Sequence, residues 1–249
     1  MKKRLFIAIN LAPELEKQLG YLLDQLRDFS YLKTTAKNQL HLTLAFLGDT
    51  DEEHIPELAD ILDALPKIPF TLELGPPALF PTNPQLTTHN SQLRRPSRSP
   101  WPVEAPGRSR LGEGWRGIWL AIKPNPALIQ LADNLRTQLN STGFALDPKP
   151  FNGHITLARH RLQRDPHRRW RDPAKCGDAN GGGAKTDRIS PELRQWLSDW
   201  ANANLPASPV SEITLYSSQL TPTGPVYTPE HCTQLSSPTP TNRYKKQAP

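Results

Sequence analysis

Two cysteines in 249 residues, Cys176 and Cys232, are too few for a disulfide framework, and their spacing matches no metal knuckle. Long apolar runs are missing as well. None approaches the roughly 18–20 residues that a membrane-spanning helix needs. The opening MKKRLFIAIN has the basic start and apolar stretch of a secretory leader, but the stretch is short, contains Asn10 and runs straight into a charged helical pattern. It therefore reads as part of the fold. Together these absences point to a soluble protein of a reducing, cytoplasmic setting with no membrane association. Wholesale disorder is excluded by what is present: 36% of the residues are hydrophobic and 22% charged, enough for a real core in one large domain or two small lobes.

The formal net charge of +6 is unevenly placed. Arg94 to Arg116 holds six arginines against Glu104 and Glu113, and Arg159 to Lys175 holds seven basic residues against Asp165 and Asp172, so the remainder is slightly acidic. The 27 prolines cluster too. Residues 82–114 are rich in Pro, Ser and Arg without a sustained period, 161–189 run through Gly181-Gly182-Gly183, and the tail 236–249 is basic and Ser/Pro/Thr-rich. These read as irregular loops and a flexible tail on a single bilobal domain spanning 1–249. Basic loops suit a polyanion such as RNA, and they suit a solvated linker equally well.

The rest of the chain repeats itself. A shift of 113 residues lays Phe6-Ile7-Ala8-Ile9 on Trp119-Leu120-Ala121-Ile122 and His41-Leu42-Thr43-Leu44-Ala45 on His154-Ile155-Thr156-Leu157-Ala158, with eleven identities over positions 6–45 and no gap. Each repeat, about 4–75 and 117–217, reads as strand, helix, strand, helix, strand. In the first, Arg4–Asn10 is a strand. Pro13, followed by Glu14 and Glu16, opens a helix with Leu15, Leu19, Leu22, Leu23 and Leu26 at helical spacing. The strand Leu40–Leu47, a helix over about 52–65 and a strand near Phe70–Leu74 follow. In the second, the strand Gly117–Lys123 leads to a helix opened by Asn125-Pro126. The strand Phe151–Ala158, a helix opened by Ser190-Pro191 and a strand Glu212–Ser217 complete it. The expected fold is α+β: two pseudo-symmetric lobes, each an antiparallel-rich sheet with two helices, facing across a central cleft.

Strand alternation then places the chemistry. Leu40, Leu42, Leu44 and Phe46 share the core face, and His41 and Thr43 share the other. In the second repeat Ile155 and Leu157 face the core, with His154 and Thr156 opposite. If the lobes face each other, two imidazoles titrating near pH 6.5 flank one bound group. One imidazole that takes a proton and one that gives it suit metal-free phosphodiester cleavage, with the threonine hydroxyls donating to the phosphate oxygens. A zinc site is disfavoured, because no carboxylate or thiolate recurs at matching positions. His54, His89, His160, His167 and His231 have no such context and read as solvent-facing. Trp196 and Trp200 read as core, while Trp101, Trp115 and Trp170 are weak candidates for stacking on unpaired bases.

The segments His41-Leu-Thr-Leu-Ala-Phe-Leu-Gly48 and His154-Ile-Thr-Leu-Ala-Arg159 resemble the paired motifs of the two-histidine (2H) phosphoesterases. The likeness is greatest to the RNA 2′,3′-cyclic phosphodiesterase branch, historically called 2′-5′ RNA ligase. Arg4-Leu-Phe-Ile-Ala-Ile9, Ile118-Trp119-Leu120 and Ile213-Thr-Leu-Tyr-Ser217 support it. The resemblance implies a monomer that hydrolyses an RNA 2′,3′-cyclic phosphate end, tRNA-derived ends among them, to a 2′-phosphate without metal or organic cofactor. His41 would be the general acid, His154 the general base, Thr43 and Thr156 the phosphate grip, and Arg159 its positive charge. Strict alternation puts Arg159 on the face opposite His154, so the strand must end or bend there. The long segments 82–114 and 161–189 depart from the family pattern. Three alternatives stay open: an RNA-binding module without turnover, a phosphodiesterase of small cyclic nucleotides, and reversible 2′-5′ ligation.

Overall fold

The helices begin where backbone chemistry favours them. The computed structural model describes residues 1–80, 115–144, 146, 148–161, 189–222 and 224–235. After strand β1 (Lys2–Asn10), helix α1 (Pro13–Leu26) starts on a proline whose missing N–H has no partner to lose, with Glu14 and Glu16 at the positive helix end. Leu15, Leu19, Leu22, Leu23 and Leu26 are all buried, as their spacing predicts. Strands β2 (Leu32–Thr34) and β3 (His41–Asp51) follow, then helix α2 (Ile55–Asp63) and strands β4 (Phe70–Leu72) and β5 (Leu74–Phe80). The second half runs through β6 (Gly117–Ile122), α3 (Pro126–Ser141), β7 (His154–His160), α4 (Pro191–Asp199), β8 (Ser208–Val210), β9 (Glu212–Thr221) and β10 (Gly224–Gln234). Asn125 caps α3 by accepting the Leu128 N–H at 3.1 Å, and Ser190 caps α4 by accepting that of Leu193 at 3.2 Å.

Two antiparallel four-stranded sheets result, ordered β10-β9-β1-β3 and β2-β7-β6-β5, with β4 and β8 paired apart. The α+β architecture and the two helices per sheet match the reading from sequence. The expectation of one repeat per sheet is corrected, because each sheet draws strands from both halves of the chain. Helix α1 follows β1 but packs its leucines with Ile118, Leu120, Ile155 and Leu157 of the second sheet, beside α4. Helix α3 follows β6 but packs Leu128, Leu131 and Leu135 under β1 and β3, beside α2. Strand β5 pairs with β6, and β9 pairs with β1, so each repeat lends its third strand to the other sheet. The Gln25 side-chain carbonyl on α1 accepts both Trp196 Nε1–H, at 2.8 Å, and Trp200 Nε1–H, at 3.0 Å, which joins α1 to α4 across the exchange.

The expected strand near Phe70–Leu74 divides at Glu73 into β4 and β5. Strand β10 was not visible in the sequence, because Pro225 and Pro229 argue against a strand. At the edge of a sheet a missing N–H need not cost a ladder bond. Segments 82–114, 161–189 and 236–249 lie outside the described residues, save Arg161 and Ile189. Among the described residues no helix is long and apolar enough to cross a membrane.

Candidate active site

Two β-bulges decide which side chains enter the cleft. Along β7, Gly117 pairs with Arg159 and Ile118 with Ala158, but Trp119 pairs with Thr156, which leaves Leu157 as an extra residue. Along β3, Phe6 pairs with Phe46 and Ile7 with Ala45, but Ala8 pairs with Thr43, which leaves Leu44 extra. The two extra leucines stand 113 positions apart, the period of the repeat. Each bulge inverts the alternation beyond it. Before it, β3 presents His41 and Thr43, and after it Phe46. In the same way β7 presents His154 and Thr156, then Arg159. All six line one cavity of about 390 Å³.

This resolves the parity of Arg159: the strand bends at Leu157 and turns the arginine to the side of His154. It also overturns the core placement of Phe46, which is 48% exposed in the cleft with the Arg4 guanidinium 4.9 Å over its ring. Trp115, expected as a weak stacking candidate, is buried among the residues under the second sheet, and Trp101 and Trp170 lie outside the described residues. His160 is not solvent-facing, since its ring lies 4.8 Å from that of Trp115 and 5.7 Å from that of Tyr31. His231 is part-buried, with Nε2 3.1 Å from an Asp63 carboxylate oxygen, whereas His54 is exposed beside Glu57. His89 and His167 lie outside the described residues.

The two cleft imidazoles are held alike. His41 Nδ1–H donates to the Gln39 carbonyl at 2.8 Å, and His154 Nδ1–H to the Asn152 carbonyl at 2.8 Å. A carbonyl only accepts, so Nδ1 carries the hydrogen and Nε2 is the nitrogen left for a ligand. Burial pushes both pKa values below the ordinary imidazole value, opposed by those carbonyl bonds. A positive charge on His154 lowers His41 further, and Arg159 lowers His154 further.

Aromatic rings back both imidazoles. The His41 ring lies 5.1 Å from Phe6 and 5.4 Å, edge-on, from Tyr227. His154 stacks face to face on Trp119 at 3.5 Å and 10°, and Trp119 stacks on Phe80 at 3.6 Å and 8°. Phe6 and Trp119 are 113 residues apart. The repeat alignment thus carried a signal for them, an aromatic at one position of both first strands. Tyr227 had none, because it arrives on β10, whose Pro225 carbonyl accepts a hydrogen bond from the Gln39 side-chain amide. Burial raises the Tyr227 pKa, against the pull of Arg159 and Arg4.

Apart from Leu220 at the rim, the remaining side chains that line the cavity are cationic or hydroxylic, Arg4, Lys33, Thr34, Thr35 and Ser218, and no carboxylate lines it among the described residues. Such a surface suits an anion. Among the described residues no group of three or more His, Cys, Asp or Glu side chains is placed to hold a metal ion.

The chain is similar to known phosphoesterases. The family model described as LigT-like phosphoesterase matches residues 9–87. An RNA 2′,3′-cyclic phosphodiesterase of Archaeoglobus fulgidus is 23% identical over 224 residues, covering 90% of this chain and 96% of that protein. One of Escherichia coli K12 is 30% identical over 158 residues, covering 63% of this chain and 72% of that protein. Among solved structures, E. coli LigT complexed with 3′-AMP superposes with a TM-score of 0.59 at 23% identity, covering 95% of this chain and 100% of that one, a likeness of fold.

Proposed function

Since this chain belongs to the LigT-like phosphoesterases, we propose that it hydrolyses 2′,3′-cyclic phosphate ends of RNA to 2′-phosphomonoesters by two-histidine acid–base catalysis. In this scheme His154 Nε2 takes a proton from water as the water oxygen bonds to phosphorus, in line with the departing 3′-oxygen. The bond from phosphorus to the 3′-oxygen breaks, and His41 gives its proton to that oxygen. The products are a 2′-phosphate and a free 3′-hydroxyl. Thr43 and Thr156 donate to the non-bridging oxygens, and Arg159 offsets the charge that builds on them. No step calls on a metal or an organic cofactor.

The observation that carries this reading is the matched pair of imidazoles in one anion-suited cavity, each with Nδ1 anchored and Nε2 without a hydrogen-bond partner among the described residues. A binding module has no need of that pair. The reverse reaction, 2′-5′ joining, uses the same groups, with water normally prevailing. The reading takes the protein as a monomer of a reducing cytoplasm. tRNA fragments are one source of such ends.

The test is turnover of a short RNA bearing a 2′,3′-cyclic phosphate by the wild type, His41→Ala and His154→Ala, each with and without EDTA. Each substitution is expected to lower the rate by roughly 10²–10⁴-fold, the usual worth of one acid–base role, and EDTA to change nothing. Binding without turnover in all three proteins would establish the module instead.

A further inference from the structure

The cleft carries more fixed positive charge than one cyclic phosphate requires. Lys33 on β2 is the direct antiparallel partner of Arg159 on β7, and both line the cavity. Directly opposed residues share a face, and like charges so placed repel each other. Arg4 adds a third cation on the opposite sheet. Among the described residues no ion pair engages any of the three. A 2′,3′-cyclic phosphodiester has a single negative charge, which Arg159 alone matches. Arg4 lies over the Phe46 ring, but among the described residues Lys33 has neither an aromatic face nor a carboxylate for company.

From this juxtaposition we infer that Lys33 binds the internucleotide phosphate on the 5′ side of the terminal nucleotide, making the preferred substrate an oligonucleotide rather than a cyclic mononucleotide. Position across the sheet supports this. With Arg159 serving the reacting phosphate, Lys33 stands one strand further out on β2, about 5 Å across the ladder from Arg159, and so farther from the reacting phosphorus, toward the sheet edge. A cavity of about 390 Å³ has room for a single nucleotide, so the chain 5′ of it must leave over the rim. Strand β2 is the edge of its sheet and offers that rim. The inference rests on the cyclic phosphodiesterase reading and narrows its substrate.

The experiment compares kcat/KM on a nucleoside 2′,3′-cyclic phosphate with kcat/KM on the dinucleotide ending in it, and with the same dinucleotide whose internucleotide link is an uncharged methylphosphonate. Wild type should prefer the charged dinucleotide by roughly ten- to hundredfold, the usual worth of a hydrogen bond to a charged group. Lys33→Gln should bring that ratio close to one, and Lys33→Arg should keep it. For the charged dinucleotide, Lys33→Gln should also flatten the log–log salt slope by about 0.7, one phosphate contact on a single strand. A wild-type ratio of one, a preference that survives the methylphosphonate, or equal losses on both substrates in Lys33→Gln would each overturn the inference. Absence of turnover on every substrate would instead overturn the cyclic phosphodiesterase reading itself.

Discussion

At the scale of single residues the cleft is organised around two imidazoles that disfavour each other's charge. Such a pair loses its protons in two macroscopic steps, and the singly protonated form between them is the one with both an acid and a base. Both pKa values are pushed below about 6.5, by burial first, so in the free protein the acid loses its proton before neutrality. kcat/KM, which reports the free protein, should therefore follow a bell whose maximum lies on the acid side of about pH 6.5 and fall as pH rises through neutrality. A bound phosphate favours imidazolium, so the bell in kcat should lie at higher pH than the bell in kcat/KM. Initial rates measured from about pH 5 to 9 check this, and a flat profile would defeat the two-imidazole scheme. The His-x-Thr pairs were legible because a two-residue spacing survives in any strand. Phe46 was misplaced because it lies beyond a bulge, and alternation alone would have turned Arg159 away from His154, because an inserted residue leaves no mark on apolar alternation.

At the scale of elements, the bulge in β7 depends on a close approach that only glycine permits. A Cβ on Gly117 would fall 2.5 Å from the Ala158 carbonyl oxygen, and Gly117 is the register partner of Arg159. Gly117→Ala is expected to force β6 and β7 apart at that point. The cost should be about 1–3 kcal/mol in urea denaturation, as for other overpacked sites, together with a lower kcat/KM as Arg159 withdraws from the cleft. Gly75→Ala is the control, since its added Cβ would meet nothing nearer than 3.5 Å. Full activity and stability in Gly117→Ala would show that the strands yield without moving the arginine. Helices were the most legible elements: Pro13, Pro126 and Pro191 mark their starts, and leucine spacing marks their buried faces. Strand β10 was illegible because its prolines are acceptable only at an edge, and edge position is a property of the assembled sheet.

At the scale of the whole molecule, the two repeats are interlocked by exchange of α1 with α3 and of β5 with β9. A chain of residues 1–80 lacks β9, β10 and α3 from its own sheet, and the strands on which α1 and β5 pack. Neither residues 1–80 nor residues 115–249 should unfold cooperatively alone, while the two expressed together should recover helical and strand signal and a single urea transition. Circular dichroism during denaturation reads this out, and a half that melts cooperatively by itself would refute the interlock. The sequence by itself determined the duplication, the amphipathic faces, the helix starts and the pairing of imidazole with hydroxyl, because each is written in local spacing. Only the tertiary structure decided which sheet each helix covers, which residue is squeezed out at a bulge, and which aromatic rings and cations meet across the cleft. Those outcomes depend on packing between segments far apart in the chain, and an apolar face carries no record of the partner that will bury it.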